Sequence, residues 1–227
     1  MLRSIVIALV FPVLAVGQQF AVSGGFVVAV PKGDFGANVS SYGYGGEIYG
    51  AYAPEISPFS AGITFRLMNY GAEESREPLS STLPGIYVTW NRYNNFFQFE
   101  LEGRLQPNTG FLRPYLSGVF GANLLTTTTS IKNESTGEEI ASSTNESDGA
   151  VNYGGGAGLE VLLWTGNVDE LEEGDVRQVL LHIGASYVYG GAATYGTITR
   201  VNDVAEYGTR QSKTDVVLYQ IGVTVTL

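Results

Sequence analysis

The sequence of 227 residues has no cysteine, a single histidine and few basic residues. Because cysteine is absent, a disulfide framework, a thiolate metal site and a lipid-modified cysteine are excluded together. Lysine and arginine total 12 against 22 aspartates and glutamates, which gives a formal net charge of −10. Such an acidic balance argues against nucleic acid as a partner. Helical blocks rich in alanine, leucine and glutamate are also missing, whereas glycine reaches 30 and tyrosine 14, which favours an all-β protein.

The N-terminal segment MLRSIVIALVFPVLAVG is the one long apolar run in the chain. It carries one positive charge at Arg3, an apolar run from Ile5 to Val16, and small residues at Ala15 and Gly17 that match a cleavage pattern. These features predict a secretory signal peptide over residues 1–17 and one domain over residues 18–227. The alternative is a buried N-terminal helix, but no helical periodicity follows. Removal of the segment would leave 11 basic and 22 acidic residues, for a net charge of −11.

Strict alternation of apolar and polar residues recurs along the rest of the chain, as expected for β-strands. Eight stretches show it: QFAVSGGFVVAV, YGYGGEIYGAY, FSAGITFRLM, FFQFELEGRLQ, PYLSGVFGANLL, NYGGGAGLEVLLW, QVLLHIGASYVYG and VVLYQIGVTVTL. In the fourth stretch, Glu100, Glu102 and Arg104 lie on one face, opposite a face that is entirely apolar. Three charges do not belong in a dry sandwich core. The fully apolar face, in turn, does not suit water.

The connections between these stretches alternate between short and long, with the long ones polar. Short turns on one rim, long loops on the other and an even number of strands are typical of a bacterial outer-membrane barrel. The sequence therefore predicts an all-β fold, an eight-stranded antiparallel up-and-down transmembrane β-barrel preceded by a signal peptide. One segment, Leu83–Asn94, looks strand-like and would make a ninth strand. We interpret it as part of the second long loop or as an upper extension of the fourth strand.

Alternation also assigns the charged residues to the inside of the barrel. Because successive side chains point to opposite faces of a strand, seven residues are expected to face the lumen: Glu47, Arg66, Glu100, Glu102, Arg104, Glu160 and His182. An eight-stranded barrel is wide enough only for its own side chains or one small ligand, so these charges are expected to pair with one another as a structural plug. A gated solute path built from the same charges is the alternative. Glu160 and His182 are expected to lie side by side, where a carboxylate would favour the charged imidazolium.

We expect no catalytic, metal or cofactor site. The glycines of NYGGGAGLE lie along a predicted strand with no helix after them, so they do not form a nucleotide-binding loop. Histidine occurs once, and no convincing set of serine, histidine and acid is present.

The signal peptide, the eight alternating strands and the long polar loops resemble the small outer-membrane barrels of Gram-negative bacteria, the OmpA transmembrane-domain and OmpX-like group. The last strand also resembles the signal that the outer-membrane assembly machinery recognises, at Gln220, Gly222, Val225 and Leu227. The final residue in that group is usually aromatic, whereas here it is leucine. The resemblance implies export through the periplasm and contacts with outer-membrane lipid, with the assembly machinery, and with a surface partner through the long loops.

The leading functional hypothesis is a non-enzymatic barrel of the cell envelope with a closed, charge-filled lumen and a structural or surface-interaction role. The first alternative is a porin-like channel for small solutes or a barrel that transports hydrophobic ligands. A further alternative is an outer-membrane enzyme that processes lipids or peptides. A soluble ligand-binding barrel is the rival architecture, but it needs an apolar interior and a polar exterior, the reverse of the predicted charge placement.

Overall fold

The computed structural model describes residues 18–39, 41–54, 57–78, 87–133, 138–166, 175–201 and 204–227. The predicted signal peptide lies outside these ranges. Within them the elements are β1 (Gln18–Pro31), α1 (Gly33–Asn38), β2 (Gly43–Pro54), β3 (Phe59–Pro78), β4 (Tyr87–Leu105), β5 (Leu112–Asn133), β6 (Glu139–Thr165), β7 (Gln178–Gly190), β8 (Ala192–Val201), β9 (Val204–Lys213) and β10 (Val216–Thr226). In these described ranges, no helix has the length and apolar character needed to cross a membrane.

Eight strands close into one antiparallel barrel, in the order β1, β10, β7, β6, β5, β4, β3, β2 and back to β1. The last strand pairs with the first from Ala21 opposite Thr226 to Pro31 opposite Val216. The predicted eight-stranded antiparallel barrel is therefore confirmed. Within the closed ring each strand pairs with a neighbour on both sides, which a β-structure in hydrocarbon requires.

The outer face of the barrel is apolar around its circumference. Along β5 the exposed apolar row runs from Leu112 to Leu124, which is about 40 Å of strand, or about 30 Å of height at a tilt of about 40°. That height matches the hydrocarbon thickness of a bilayer. Exposed apolar side chains on the other strands include Phe20, Phe26, Ile48, Phe65, Leu101, Tyr153, Ile183 and Ile221. The exterior suits acyl chains, and the soluble-barrel alternative would need the reverse arrangement.

Four strands continue well beyond this apolar belt. The upper parts of β3, β4, β5 and β6 pair with one another up to Pro78 opposite Tyr87 and Lys132 opposite Glu139. The Tyr87–Asn94 part of the ambiguous segment is thus an upper extension of β4, while residues 83–86 lie outside the described residues. The polar stretch between the fifth and sixth predicted strands is also largely strand rather than loop, because its backbone groups pair across β5 and β6.

Two other predicted polar loops are ordered and cover the upper mouth of the barrel. The link after the seventh barrel strand forms a hairpin, β8–β9, in which Ala193 pairs with Ser212 and Tyr195 with Arg210. Ala193, Tyr195 and Thr197 are buried on one face of β8. The link after β1 contains α1, whose Phe35 is fully buried. Both segments had the composition of loops, but each carries aromatic or β-branched residues that pack into the barrel mouth.

The seam between the first and last strands depends on a close approach of two backbones. Gly25 of β1 is the register partner of Gly222 of β10, and both lie on the lumen-facing rows. A Cβ atom at Gly222 would lie 2.5 Å from the carbonyl oxygen of Gly24 and 2.8 Å from Cα of Gly25. These distances are shorter than real contacts of a Cβ atom, so a larger residue would push the two strands apart.

Substitution of Gly222 tests this seam. We expect Gly222→Val to lower the free energy of unfolding by about 1–3 kcal/mol, because the added side chain overpacks the junction. The matched control is Gly24→Val on the same seam, where a Cβ atom would meet nothing within 4 Å. Unfolding in detergent micelles, followed by gel mobility with and without heating, measures the difference. Equal stability of the two variants would contradict a packing role for Gly222.

Candidate functional site

The middle of the lumen holds a network of buried charges centred on Arg66. Arg66 is the register partner of Glu47 on the neighbouring strand β2, and its Nε donates to Glu47 Oε2 at 2.5 Å. Its Nη1 donates to Glu100 Oε2 on β4, and its Nη2 lies 3.9 Å from Glu102 Oε2. The Arg66 side chain is 2% exposed. One guanidinium therefore joins three strands through carboxylates at a depth where an unpaired charge would be very costly.

Arg104 occupies the next level towards the short turns. Its Nε donates to Glu102 Oε1 at 2.7 Å, and its Nη1 lies 3.6 Å from Glu160 Oε1 on β6. The Arg104 Cζ atom lies 3.8 Å from the ring centroid of Tyr49 and 4.8 Å from that of Tyr115. Ion pairing and cation–π contacts together hold this guanidinium across the narrow lumen.

Neutral donors add hydrogen bonds to three of the four lumen carboxylates, as buried polar groups require. Four such bonds link the network to further side chains: Thr64 Oγ1 to Glu102 at 2.5 Å, Gln220 Nε2 to Glu47 at 3.0 Å, Thr224 Oγ1 to Glu160 at 3.0 Å and Gln106 Nε2 to Glu160 at 2.6 Å. Gln220 and Thr224 lie on β10, so the network also ties the closing strand to β2 and β6, each two strands away in the ring. Among the described residues, Glu100 Oε1 has no hydrogen-bond partner.

His182 lies beside Glu160 in the register of β6 and β7, but no ion pair joins them. Its Nε2 instead shares a hydrogen bond of 2.7 Å with the hydroxyl group of Tyr115, and the two rings meet edge to face. In the described part of the chain, His182 Nδ1 has no hydrogen-bond partner. The register thus places the two residues side by side, as expected. The Glu160 oxygens, however, bind Thr224 and Gln106 and face Arg104.

Arg113 also faces the lumen and was missing from the sequence-predicted set. It is the register partner of Glu160, is 5% exposed, and its Nε donates to the carbonyl oxygen of Gly110 at 3.1 Å. The sequence pattern could have identified Arg113, because it lies two residues before Tyr115 on the same strand. Residues two apart face the same side, and Tyr115 faces inwards. With Arg113 included, four lumen glutamates face three arginines.

An uncharged layer lies above the charged levels. Gln98 and Asn152 both donate to Asn123 Oδ1, and Asn123 Nδ2 donates to Thr214 Oγ1 at 3.2 Å. Each of these four side chains is buried. The layer links β4, β5 and β6 to the short connection between β9 and β10.

An apolar cap closes over that layer. Phe35 of α1 meets the rings of Tyr70, Phe96 and Tyr195 at centroid distances of 5.6, 6.1 and 4.9 Å, all edge to face. Other buried members of this cluster are Val27, Ala29, Met68, Leu125, Val188 and Leu218. By alternation these six residues belong to the inward rows, so the upper part of the lumen is apolar. Phe96 has the same parity as Gln98 and lies inside.

The residues of the proposed assembly signal lie along the closing strand. Gln220 and Gly222 face the lumen, Val225 of β10 is the register partner of Val22, and the backbone N–H of Leu227 donates to the carbonyl oxygen of Phe20 at 2.8 Å. Within the residues that the structure describes, no group of three or more histidine, cysteine, aspartate or glutamate side chains is arranged to hold a metal ion.

Several solved structures share the outline of this barrel. The crystal structure of Ail, the attachment invasion locus protein of Yersinia pestis, in complex with the heparin analogue sucrose octasulfate, is 14% identical, with a TM-score of 0.42, over 93% of this chain and 99% of that one. A major outer membrane protein from Thermus thermophilus is 10% identical, with a TM-score of 0.45, over 92% and 99%. Neisserial surface protein A is 13% identical, with a TM-score of 0.38, over 93% and 96%. No family model matches the sequence, and the search of curated proteins gives no match.

The chain's own geometry defines its class. Its exterior is apolar over the thickness of a bilayer, its interior is charged, and its eight antiparallel strands form a closed ring. This is the architecture of the small outer-membrane β-barrels that the sequence resembles. The chain therefore has the fold of an eight-stranded antiparallel β-barrel with a lipid-compatible exterior.

The central role of Arg66 in the lumen is testable by its removal. We expect Arg66→Met to lower the free energy of unfolding by about 3–5 kcal/mol, because Glu47 and Glu100 lose their buried counter-charge. Adding Glu47→Gln and Glu100→Gln to this variant should restore a large part of the loss. Denaturant unfolding in micelles measures both effects.

The control for this experiment is Arg210→Met on the exposed part of the β8–β9 hairpin, which makes the same chemical change at the surface. A loss at Arg66 no larger than that at Arg210 would contradict the structural importance of the network.

Proposed function

We propose that this protein is a non-enzymatic outer-membrane barrel with a closed lumen, and that it acts through the part of the molecule that projects beyond the membrane. The observation that carries the proposal is the stack of three unlike layers across one narrow lumen. A solute would have to break the ion pairs of Arg66 and Arg104, displace the amide layer around Asn123, and separate the aromatic cap around Phe35. Each layer is held by its own set of contacts, so a solute that disrupted one layer would still meet the other two.

The chemistry of the layers supports closure over transport. A path for hydrophobic ligands would need a continuous apolar wall, and the Arg66 and Arg104 levels interrupt it with buried charge. A path for ions would need water-filled space, whereas the Arg66 side chain and the cap residue Phe35 are almost fully buried. A hydrolytic role lacks support, since the hydroxyl group of Tyr115 rather than a nucleophile-and-acid pair engages His182.

The projecting sheet supports a surface role. Above the apolar belt, β5 carries the run TTTTS at Thr126–Ser130, and β6 carries SSTNES at Ser142–Ser147. The β8–β9 hairpin is fixed to this sheet, because the Thr194 backbone N–H donates to Asp148 Oδ2 at 2.7 Å. A polar sheet held outside the membrane provides a surface that is already ordered. A partner can therefore bind to it without a large loss of conformational entropy.

Conductance tests the closed lumen. We expect the purified barrel to give no reproducible unitary conductance in planar bilayers. Insertion is checked in the same preparation by the mobility shift on heating that folded barrels show in gels. A stable, repeatable conductance step from shift-positive protein would overturn closure and favour the channel alternative.

We also propose that the C-terminal strand carries the signal for the assembly machinery, through Gln220, Gly222, Val225 and Leu227. The side chain of Leu227 can be changed without removing the backbone hydrogen bond that its N–H makes to Phe20. A role in recognition is therefore separable from a role in the fold.

Two substitutions at the last residue test recognition. We expect Leu227→Asn to slow assembly in cells severalfold and Leu227→Phe to preserve or raise it, with unassisted folding into detergent unchanged in both. The control is Thr226→Ser at the neighbouring position. If Leu227→Asn impaired detergent folding as much as cellular assembly, the residue would be structural and not a recognition element.

A further inference from the structure

A cavity of about 470 Å³ lies in the projecting part of the molecule, above the apolar belt. Two neighbouring rungs of the upper sheet form its wall. Ser75, Trp90, Ile131 and Ala141 are cross-strand partners in the first rung, and Arg92, Thr129 and Ser143 are partners in the second. Tyr207 of β9 lies over the second rung. The volume is in the range of small-molecule sites in proteins.

A β-bulge adds Asn145 to this wall. Thr127 pairs with Glu146 and Thr128 with Thr144, so Asn145 is the extra residue on β6. Its side-chain amide donates to Thr129 Oγ1 at 2.8 Å inside the lining. Bulges often redirect a side chain towards a site. Here the bulge brings an amide next to the hydroxyl groups of the second rung.

Two buried polar atoms in the lining have no hydrogen-bond partner among the described residues, Arg92 Nε and Ser75 Oγ. Buried donors are rarely left unsatisfied, because each costs about 1–3 kcal/mol. The Arg92 guanidinium is fixed, since its Cζ lies 4.8 Å from the ring centroid of Tyr207. Both atoms are shielded from solvent, so the polar groups that a ligand can reach are those of Thr129 and of the exposed residues Ser143 and Asn145.

The aromatic residues of the cavity are accessible. Trp90 is 37% exposed and Tyr207 is 43% exposed. They frame a lining whose accessible surface is mostly apolar and which also carries hydroxyl and amide groups at Thr129, Ser143 and Asn145. Aromatic faces bind the C–H faces of a ring, while hydroxyl and amide groups bind its oxygen atoms. Arg92 is the register partner of Glu73 on β3, so the positive charge has a carboxylate on the adjacent strand and the site does not require an anion.

We infer that this cavity binds a neutral saccharide of one or two rings, stacked on Trp90 and Tyr207. Its hydroxyl groups meet the guanidinium group of Arg92 and the exposed side chains of Ser143 and Asn145. A fatty or aromatic acid would use the aromatic surface but would leave these polar side chains bonded only to water. The inference rests on the proposed surface role, because it places the ligand on the projecting sheet and not in the lumen. Conductance measurements test the closed lumen, and sugar titrations test the cavity. The failure of one proposal is therefore distinguishable from the failure of the other.

Fluorescence of a single tryptophan tests the site directly. The chain has two tryptophans, so Trp164→Phe leaves Trp90 as the sole reporter. The full chain, folded in micelles, is titrated with glucose, galactose, N-acetylglucosamine, lactose and cellobiose. Sorbitol, which has hydroxyl groups but no ring, is the control, and octanoate and benzoate represent the acids.

We expect at least one cyclic sugar to shift the Trp90 emission saturably, with no effect of sorbitol. In that background, Arg92→Gln should weaken binding about tenfold, while Arg210→Gln on the exposed hairpin should leave it unchanged. Tyr207→Leu should weaken binding, and Tyr207→Phe should retain it. The heat-dependent gel shift verifies that each variant is folded.

Three results would overturn the inference. These are the absence of a saturable shift with every sugar, binding of octanoate or benzoate in preference to the sugars, and affinities that are unchanged in both Arg92→Gln and Tyr207→Leu.

Discussion

The pairing of β1 with β10 is the constraint on which the rest of this structure depends. In hydrocarbon no water is available to backbone amides, so a β-sheet is stable there only as a closed ring. Closure fixes which residues face outwards to lipid and which face each other across a narrow lumen. Once eight strands are closed, the lumen has room only for side chains. The buried charges must then be satisfied by one another, and this makes the interior a structural element.

The layers of the lumen follow from this confinement. Guanidinium groups reach across the barrel and each binds more than one carboxylate, so Arg66 and Arg104 connect strands that are not neighbours in the sheet. Above them, amides and then aromatic rings continue the filling. The upper strands leave the membrane as a polar sheet, and α1 and the β8–β9 hairpin fold back on the mouth. The protein thus separates a filled membrane segment from an accessible outer platform.

The predictions from the sequence succeeded where the information was local. Alternation has a period of two along each strand, so it assigned Phe99 to the lipid face and Glu100 to the lumen without knowledge of any partner. It also aligned Glu160 with His182 in one hairpin. It did not supply the hydrogen-bond partner of His182, because Tyr115 comes from β5. It also failed for Phe35 and the β8–β9 hairpin, because a polar composition hides a few residues that pack only when the barrel mouth is present.

The sequence by itself determined the faces of the strands, the charge of the lumen and the class of barrel, because each depends on residue type and parity along one strand. The tertiary structure alone decided which charges pair, which residues cap the lumen, and that Ser75, Trp90, Arg92 and Tyr207 surround one cavity. Those contacts depend on the register of several strands and on the return of a hairpin across the mouth. Register between strands distant in the chain is a collective property of the closed sheet, and no local pattern encodes it.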